Sequence, residues 1–333
     1  MRRSTWKAIG DPLLAATVQI EEVERPSPGP NEVLIKCVAL SINPIDYKLM
    51  LGLLPAKGKC PRGWGTDIAG VVESVGEGVT AFKTGDEVFA DAIGHGPMAE
   101  FCVVPVDMVA LKPKNLNFQQ AAGIPLVGLT ALQGLRDQGS LKAGMRVCIF
   151  GGSGGVGTSA IQLAKALGAA YVATTSSNAD LCKSVGADKV VDYRDNKDLA
   201  GSILEEGEER FDIVFDTVGG YKHWAAAQKM LRSSVGTYVT IVGDGGSVGS
   251  MIPGIMWRKL VSNFGRNNYK IYFTKSNSKD LDILRGFAEE GKLKPTMDSE
   301  NGGEVYKFSD SGIKSMLEKL MSHRTKGKLI MKV

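Results

Sequence analysis

Excess charge, long apolar runs, histidine and paired cysteine are all scarce in this 333-residue chain, and each scarcity removes a class of function. The formal net charge is only +4, with basic and acidic residues interspersed, so no basic footprint for nucleic acid or an anionic membrane surface is present. No apolar run reaches the length of a membrane span, and residues 1–20 lack the apolar middle of a secretory signal. A cytoplasmic protein is expected, with an organellar location after transit-peptide removal left open. The five cysteines, Cys37, Cys60, Cys102, Cys148 and Cys182, are odd in number and include no CxxC, which excludes a disulfide framework or a zinc knuckle. The three histidines, His95, His223 and His323, show neither HxxxH nor Cys/His ligand spacing.

What is present points to a globular protein with two domains, since the chain is too long for one ordinary core. Short apolar and β-branched runs at 32–40, 68–75, 87–90 and 100–104 read as strands of a small barrel or sandwich. An alanine-rich helical connector follows over 119–136, with Pro125 kinking it or starting a new helix. The chain then alternates. Strands are expected at 171–175, 189–192, 211–216 and 236–242, with helices at 179–185 and 223–232 between them, which describes a doubly wound parallel sheet. A further strand at 270–273, helices at 281–290 and 312–321, and a terminal strand at 328–332 complete the pattern.

The organising stretch is VCIFGGSGGVG at 147–157, where an apolar strand breaks into glycines and a helix begins. Gly152, Gly154 and Gly157 fit GxGxxG, so Gly152, Ser153, Gly154, Gly155, Val156 and Gly157 are expected to cradle a dinucleotide pyrophosphate at a helix N-terminus. About twenty residues on, where a carboxylate would hold the ribose of NAD, stand Ser176, Ser177 and Asn178. Hydroxyl donors at Ser176 and Ser177, with Lys183 and Tyr193, suit a 2′-phosphate, and NADPH is expected over NADH. Trp64, Met256, Trp257 and Tyr272 are candidates for a hydrophobic substrate wall.

The stretches SINPIDYKLMLG (41–52), GTDIAGVVESVGEGVTAFKTGDEVFA (65–90), MAEFCVVPVDMVALKPKNLNFQQAAGIPLVGLTAL (98–132), IFGGSGGVGTSAIQLAK (149–165) and SSNADLCKSVGADKVVDY (176–193) resemble the medium-chain dehydrogenase/reductase superfamily. The closer likeness is to its zinc-independent quinone oxidoreductase and 2-alkenal (enone) reductase branch. The resemblance implies an α/β protein, with a GroES-like β-barrel catalytic domain (1–123), a Rossmann doubly wound parallel sheet binding NADPH (124–276) and a C-terminal return to the catalytic domain (277–333). It also implies that Thr130, Val218, Val242 and Gly243 border the nicotinamide. Where zinc-dependent members carry a cysteine and a GHE motif, this chain has Asn43 and Gly65-Thr66-Asp67, so no metal is expected. The expected chemistry is hydride donation from NADPH to a quinone, enal or enone. Asn43 would contact the carbonyl or the nicotinamide ribose, and Tyr47 would hydrogen-bond or protonate the developing enolate. Two alternatives stay open, an enoyl reductase for carrier-bound chains and an NADPH-binding scaffold or sensor with little turnover. A homodimer through the edge strand near 270–273 is a further expectation.

Overall fold

Residues 32–41 carry apolar side chains on both faces and form the ten-residue strand on which the first sheet is built. The structure is a computed structural model that describes residues 1–14, 17–55, 59–194, 198–205, 207–243, 248–262 and 267–333. In chain order the first elements are β1 (Arg2–Trp6), β2 (Val18–Glu22), β3 (Glu32–Ser41), α1 (Pro44–Met50), β4 (Arg62–Gly63), β5 (Asp67–Val75) and β6 (Glu87–Asp91). Then come β7 (Phe101–Pro105), β8 (Val109–Leu111), α2 (Phe118–Ala122) and α3 (Pro125–Gln133). The expected connector over 119–136 is thus two helices, and Pro125 starts the second, where its missing N–H costs no hydrogen bond.

The middle of the chain alternates strand and helix: β9 (Arg146–Phe150), α4 (Gly155–Ala166), β10 (Tyr171–Thr175), α5 (Ala179–Ser184), β11 (Lys189–Val191), α6 (Leu199–Ile203) and β12 (Ile213–Asp216). It continues with α7 (Tyr221–Met230), β13 (Thr237–Thr240), α8 (Val248–Ser262) and β14 (Asn268–Ile271), two residues earlier than the expected strand at 270–273. The last elements are α9 (Ser278–Glu289), β15 (Val305–Lys307), α10 (Asp310–Met321) and β16 (Ile330–Lys332). By internal contacts the chain divides into two units, Met1–Leu129 with Lys275–Val333, and Thr130–Thr274.

In the first unit β3 pairs antiparallel with β5, β7 and β16, and β5 continues through β6 to β8. A three-stranded sheet, β2-β1-β4, lies beside it in sequence. Trp6, Ile35, Leu40, Ile42, Met50, Ile68 and Met98 are almost wholly buried in one core, each worth roughly 1.5–3 kcal/mol of transfer from water. The tail strand β16 places Ile330 opposite Ser41, which brings the residues before it to the end of β3.

The second unit holds six parallel strands in the order β11-β10-β9-β12-β13-β14, with β14 at the edge. Strand order reverses between β10 and β12 on either side of β9, so the turn after β9 sits where doubly wound sheets bind ligands. Ala160, Ile161, Leu163 and Ala164 of α4 are fully buried, which follows from apolar residues recurring at spacings of three and four. The chain therefore has the anticipated α/β fold, a GroES-like β unit and a Rossmann sheet.

Candidate active site

The turn from β9 into α4 explains its glycines one at a time. A Cβ on Gly152 would stand 2.2 Å from the Thr174 hydroxyl, and one on Gly157 only 2.1 Å from the Gly151 carbonyl oxygen, so strand, turn and helix can pack this closely only without side chains. Gly154 is different. It is the N-cap of α4 in an ordinary extended conformation (φ −76°, ψ 170°), and an added Cβ would meet nothing nearer than 3.6 Å. No side chain caps this helix, so the first-turn N–H groups of Gly155, Val156 and Gly157 face the open side of the turn at the positive end of the helix dipole. Ser153 is half-buried in the same turn. An open glycine in front of uncapped amides fits a pyrophosphate.

The neighbouring strand ends supply the remaining predicted residues of this unit. After β10, Ser176 is 2% exposed, and its hydroxyl accepts the Asn178 N–H at 2.9 Å. Ser176 thus shapes the turn by accepting this N–H, a role that the sequence does not show. Ser177 after β10 and Tyr193 after β11 are exposed at the C-terminal ends of neighbouring parallel strands, and Lys183 is exposed on α5 between them in sequence. Arg194, which no motif in the sequence marks, follows Tyr193 and pairs with Asp192 at 2.6 Å; its only signal is a second cation at a strand end.

After β12, Val218 is half-exposed, and its loop is held by Asp216, which is fully buried. One Asp216 oxygen accepts the N–H groups of Val218 (2.8 Å) and Gly219 (3.0 Å), and the other accepts the Tyr238 phenol. The burial of Tyr238 beside this carboxylate pushes its phenol far above the usual range, so it stays a donor. Thr240 accepts the Val242 N–H at 3.1 Å, which holds the loop of Val242 and Gly243 in the same way. Asp216 is absent from the sequence-based candidates, although Asp followed by small residues at a strand end is a turn signal. Thr130 is 5% exposed; its hydroxyl pairs with Thr274 at 2.7 Å, and its carbonyl accepts the Tyr272 phenol. Met256 and Trp257 stand exposed on α8, with Trp257 edge-on to Trp224 at 5.5 Å.

In the first unit the predicted residues meet a buried polar cluster. Asn43 accepts the Lys328 ammonium on Oδ1 (2.7 Å) and donates from Nδ2 to Thr66 Oγ1 (2.6 Å) and Asp67 Oδ2 (2.7 Å). With both amide hydrogens spent inside the protein, Asn43 has none to donate to a substrate carbonyl, which corrects that part of the expectation; a ribose hydroxyl would have to donate to Oδ1 instead. Asp46 accepts the Asn43 N–H at 2.8 Å and the Thr66 hydroxyl at 3.2 Å, and so fixes the start of α1. Burial, with Asp67 adding repulsion, pushes the Asp46 carboxyl up to about 7. Asp67 and Asp91 face each other across β5 and β6, and burial followed by Asp67 raises the Asp91 carboxyl too. Tyr47 on α1 is largely buried, and desolvation raises its phenol, keeping it protonated through neutral pH. Trp64 lies in the core with its indole N–H on Ser4 Oγ at 2.8 Å, so it is a core residue rather than a substrate wall.

The positions to which the resemblance assigns catalytic zinc thus hold an amide, a hydroxyl and a carboxylate with an ammonium already among their oxygens. That donor set does not fit zinc, which needs converging thiolates or imidazoles. Among the described residues no group of three or more His, Cys, Asp or Glu side chains is arranged to hold a metal ion. Among them, too, no helix is long and apolar enough to cross a membrane.

Comparison with known proteins adds two family matches, "Alcohol dehydrogenase GroES-like domain" over residues 29–114 and "Zinc-binding dehydrogenase" over residues 185–331. The chain is 35% identical over 312 residues to the 2-methylene-furan-3-one reductase of Solanum lycopersicum, covering 90% of this chain and 71% of that one. It is 33% identical over 293 residues to the chloroplastic NADPH-dependent alkenal/one oxidoreductase of Arabidopsis thaliana, covering 84% and 68% respectively. The fold matches the crystal structure of Escherichia coli quinone oxidoreductase complexed with NADPH at a TM-score of 0.82 and 26% identity, over 100% of both chains.

Proposed function

Because this chain belongs to the medium-chain dehydrogenase/reductase family and is an oxidoreductase, we propose that it reduces quinones or α,β-unsaturated carbonyls with NADPH and without zinc. The observation that carries this reading is Gly154, an open glycine before uncapped helix amides in the turn after β9. Nothing in the protein's own packing requires a glycine there, and a pyrophosphate does. Relatives that bear NADPH in their names or complexes support the choice of cofactor.

When bound, NADPH supplies the hydride. The chain's own residues then have three tasks. The amides of Gly155, Val156 and Gly157 hold the pyrophosphate, and Lys183 with Ser177 and Tyr193 holds the 2′-phosphate by charge-assisted hydrogen bonds. The loops of Val218 and Val242, tied by Asp216 and Thr240, fix the nicotinamide. Tyr47, kept neutral by burial, donates a hydrogen bond or a proton to the oxygen on which charge collects. A conjugated acceptor already spreads that charge onto oxygen, so a metal is not needed to polarise it. Asp67 and Thr66 with Lys328 among them support the zinc-free reading. The five cysteines are free thiols, which supports a reducing compartment, cytoplasmic or organellar.

The test is loss of NADPH absorbance with quinones, 2-alkenals and enones, using NADH as control. Turnover should survive treatment with a strong chelator, and activity that is lost with chelator and returned by zinc would overturn the zinc-free assignment. Lys183→Ala with Tyr193→Phe should raise KM for NADPH by about tenfold or more and leave KM for NADH within about twofold. Equal effects on both cofactors would remove the 2′-phosphate pocket.

A further inference from the structure

The Lys328 ammonium is 285 residues from Asn43 in sequence, yet all of its hydrogens are spent at one spot: on Asn43 Oδ1 (2.7 Å), on the Ile42 carbonyl (3.0 Å) and on Asp67 Oδ2 (3.0 Å). The side chain is only 5% exposed, and Asp67 is fully buried. An asparagine amide can be turned either way round, and the ammonium decides which. It can only face Oδ1, so Nδ2 must point to Thr66 and Asp67, and Thr66 must in turn give its hydrogen to Asp46. Asp46 closes the ring by accepting the Asn43 N–H at the start of α1, the helix that carries Tyr47. Each donor in the ring has one acceptor, and reversing the amide would set donors against donors.

We infer that Lys328 is a positioning residue of the reductase: as the resident cation of this buried cluster it fixes the Asn43 amide and, through it, the helix that presents Tyr47. The inference rests on the reductase reading for its kinetic consequence, but the geometry it claims can be read without turnover. Buried and with its hydrogens spent on protein oxygens, Lys328 acts through Asn43. It stands where the family's metal-dependent members are expected to carry their ion, and it meets the same oxygens with a cation that is part of the chain.

The test uses the complete chain with Lys328→Met, which keeps the unbranched side chain to within one atom of its length and removes its charge, and the double variant Asp67→Asn with Lys328→Met. The single variant leaves Asp67 buried without its cation and should melt lower. The double variant removes both charges and should regain most of that melting temperature, but the introduced asparagine now offers an amide hydrogen where a carboxylate accepted, so Asn43 turns over. Both variants should lose kcat by on the order of tenfold to a hundredfold, with the NADPH dissociation constant, read by fluorescence, within about twofold of wild type. A double variant that regains both melting temperature and kcat would reduce Lys328 to charge balance and overturn the inference, as would a folded single variant with full kcat. Should wild type reduce no acceptor, the reductase reading fails by itself, and hydrogen exchange of the Asn43 side-chain amide decides the geometry. Protection in wild type that is lost in both variants upholds the positioning, and equal protection in all three overturns it.

Discussion

Alanine at 157 is expected to abolish NADPH binding and to lower the melting temperature, while alanine at 154 should leave melting almost unchanged and still weaken NADPH by about tenfold or more. The two glycines lie three residues apart in one turn, and the difference comes from what each Cβ would meet. At Gly157 the methyl would stand 2.1 Å from the Gly151 carbonyl oxygen and 2.8 Å from Gly152, both backbone, so the helix or the turn has to move. Overpacking against backbone costs about 3 kcal/mol here, at the upper end for inserted methyl groups, because no side chain can swing aside. At Gly154 the nearest atom is 3.6 Å away and the backbone angles are open to any residue. The free protein therefore tolerates the methyl, and the slight loss as an N-cap is offset by a less flexible unfolded chain. A pyrophosphate seated on the first-turn amides has to approach the backbone at this position, and there the methyl stands in its way. Thermal melting of the two variants, with and without NADPH, and fluorescence titration of the cofactor separate the effects. A Gly154→Ala protein that binds NADPH as wild type does would show that the turn is not the phosphate cradle.

The parts of the site that are legible in the sequence are those whose determinants lie close together along the chain. Gly152, Gly154 and Gly157 occupy a single turn, and the apolar runs of β9, β10 and β12 announce a sheet buried on both faces. The helix α4 shows its buried face by spacing alone. Side-chain direction is not legible in the same way. A serine at the end of β10 suggests a donor for phosphate, but its further role, accepting the Asn178 N–H to shape the turn, is not visible. Trp64, aromatic and flanked by glycines, suggests a substrate wall; the antiparallel pairing of β1 with β4 instead leads it into the core, where Ser4 accepts its indole hydrogen. The polar cluster at Asn43 is invisible for a stronger reason. Lys328 is 261 residues from Asp67 and reaches it only because β16 pairs with β3, and no local pattern encodes that meeting. Asparagine at 43 is recognisable as a departure from a metal ligand, but what takes the place of the metal's charge depends on the far end of the chain.

That cluster also sets how the protein's stability depends on pH, and the expected result is a melting temperature that falls between pH 5 and pH 8. Asp46 is buried and its carboxyl is raised to about 7, and Asp91, facing Asp67 across two strands, is raised as well. In the unfolded chain both ionise near the ordinary carboxylate value of about 4. Between these values the folded protein holds protons that the unfolded chain has released, so raising the pH favours unfolding until the folded carboxyls have also titrated. The stability is complete below the unfolded value and is lost as pH climbs toward 7. Surface carboxylates such as Glu21 and Glu100, which Lys7 and Arg2 hold below the ordinary range, act in the opposite sense, but only at more acid pH, outside this window. Asp46→Asn reproduces the protonated side chain: its carbonyl can still accept the Asn43 N–H and the Thr66 hydroxyl, and its amide supplies the hydrogen that the neutral acid would carry. The stability of the variant relative to wild type should rise between pH 5 and pH 8 by on the order of 2 kcal/mol, since a tenfold change in proton affinity is worth about 1.4 kcal/mol. Calorimetric melting at the two pH values checks this. A variant that is destabilised equally at both would mean that Asp46 is ionised in the folded protein throughout, and that the Lys328 ammonium carries two carboxylates rather than one.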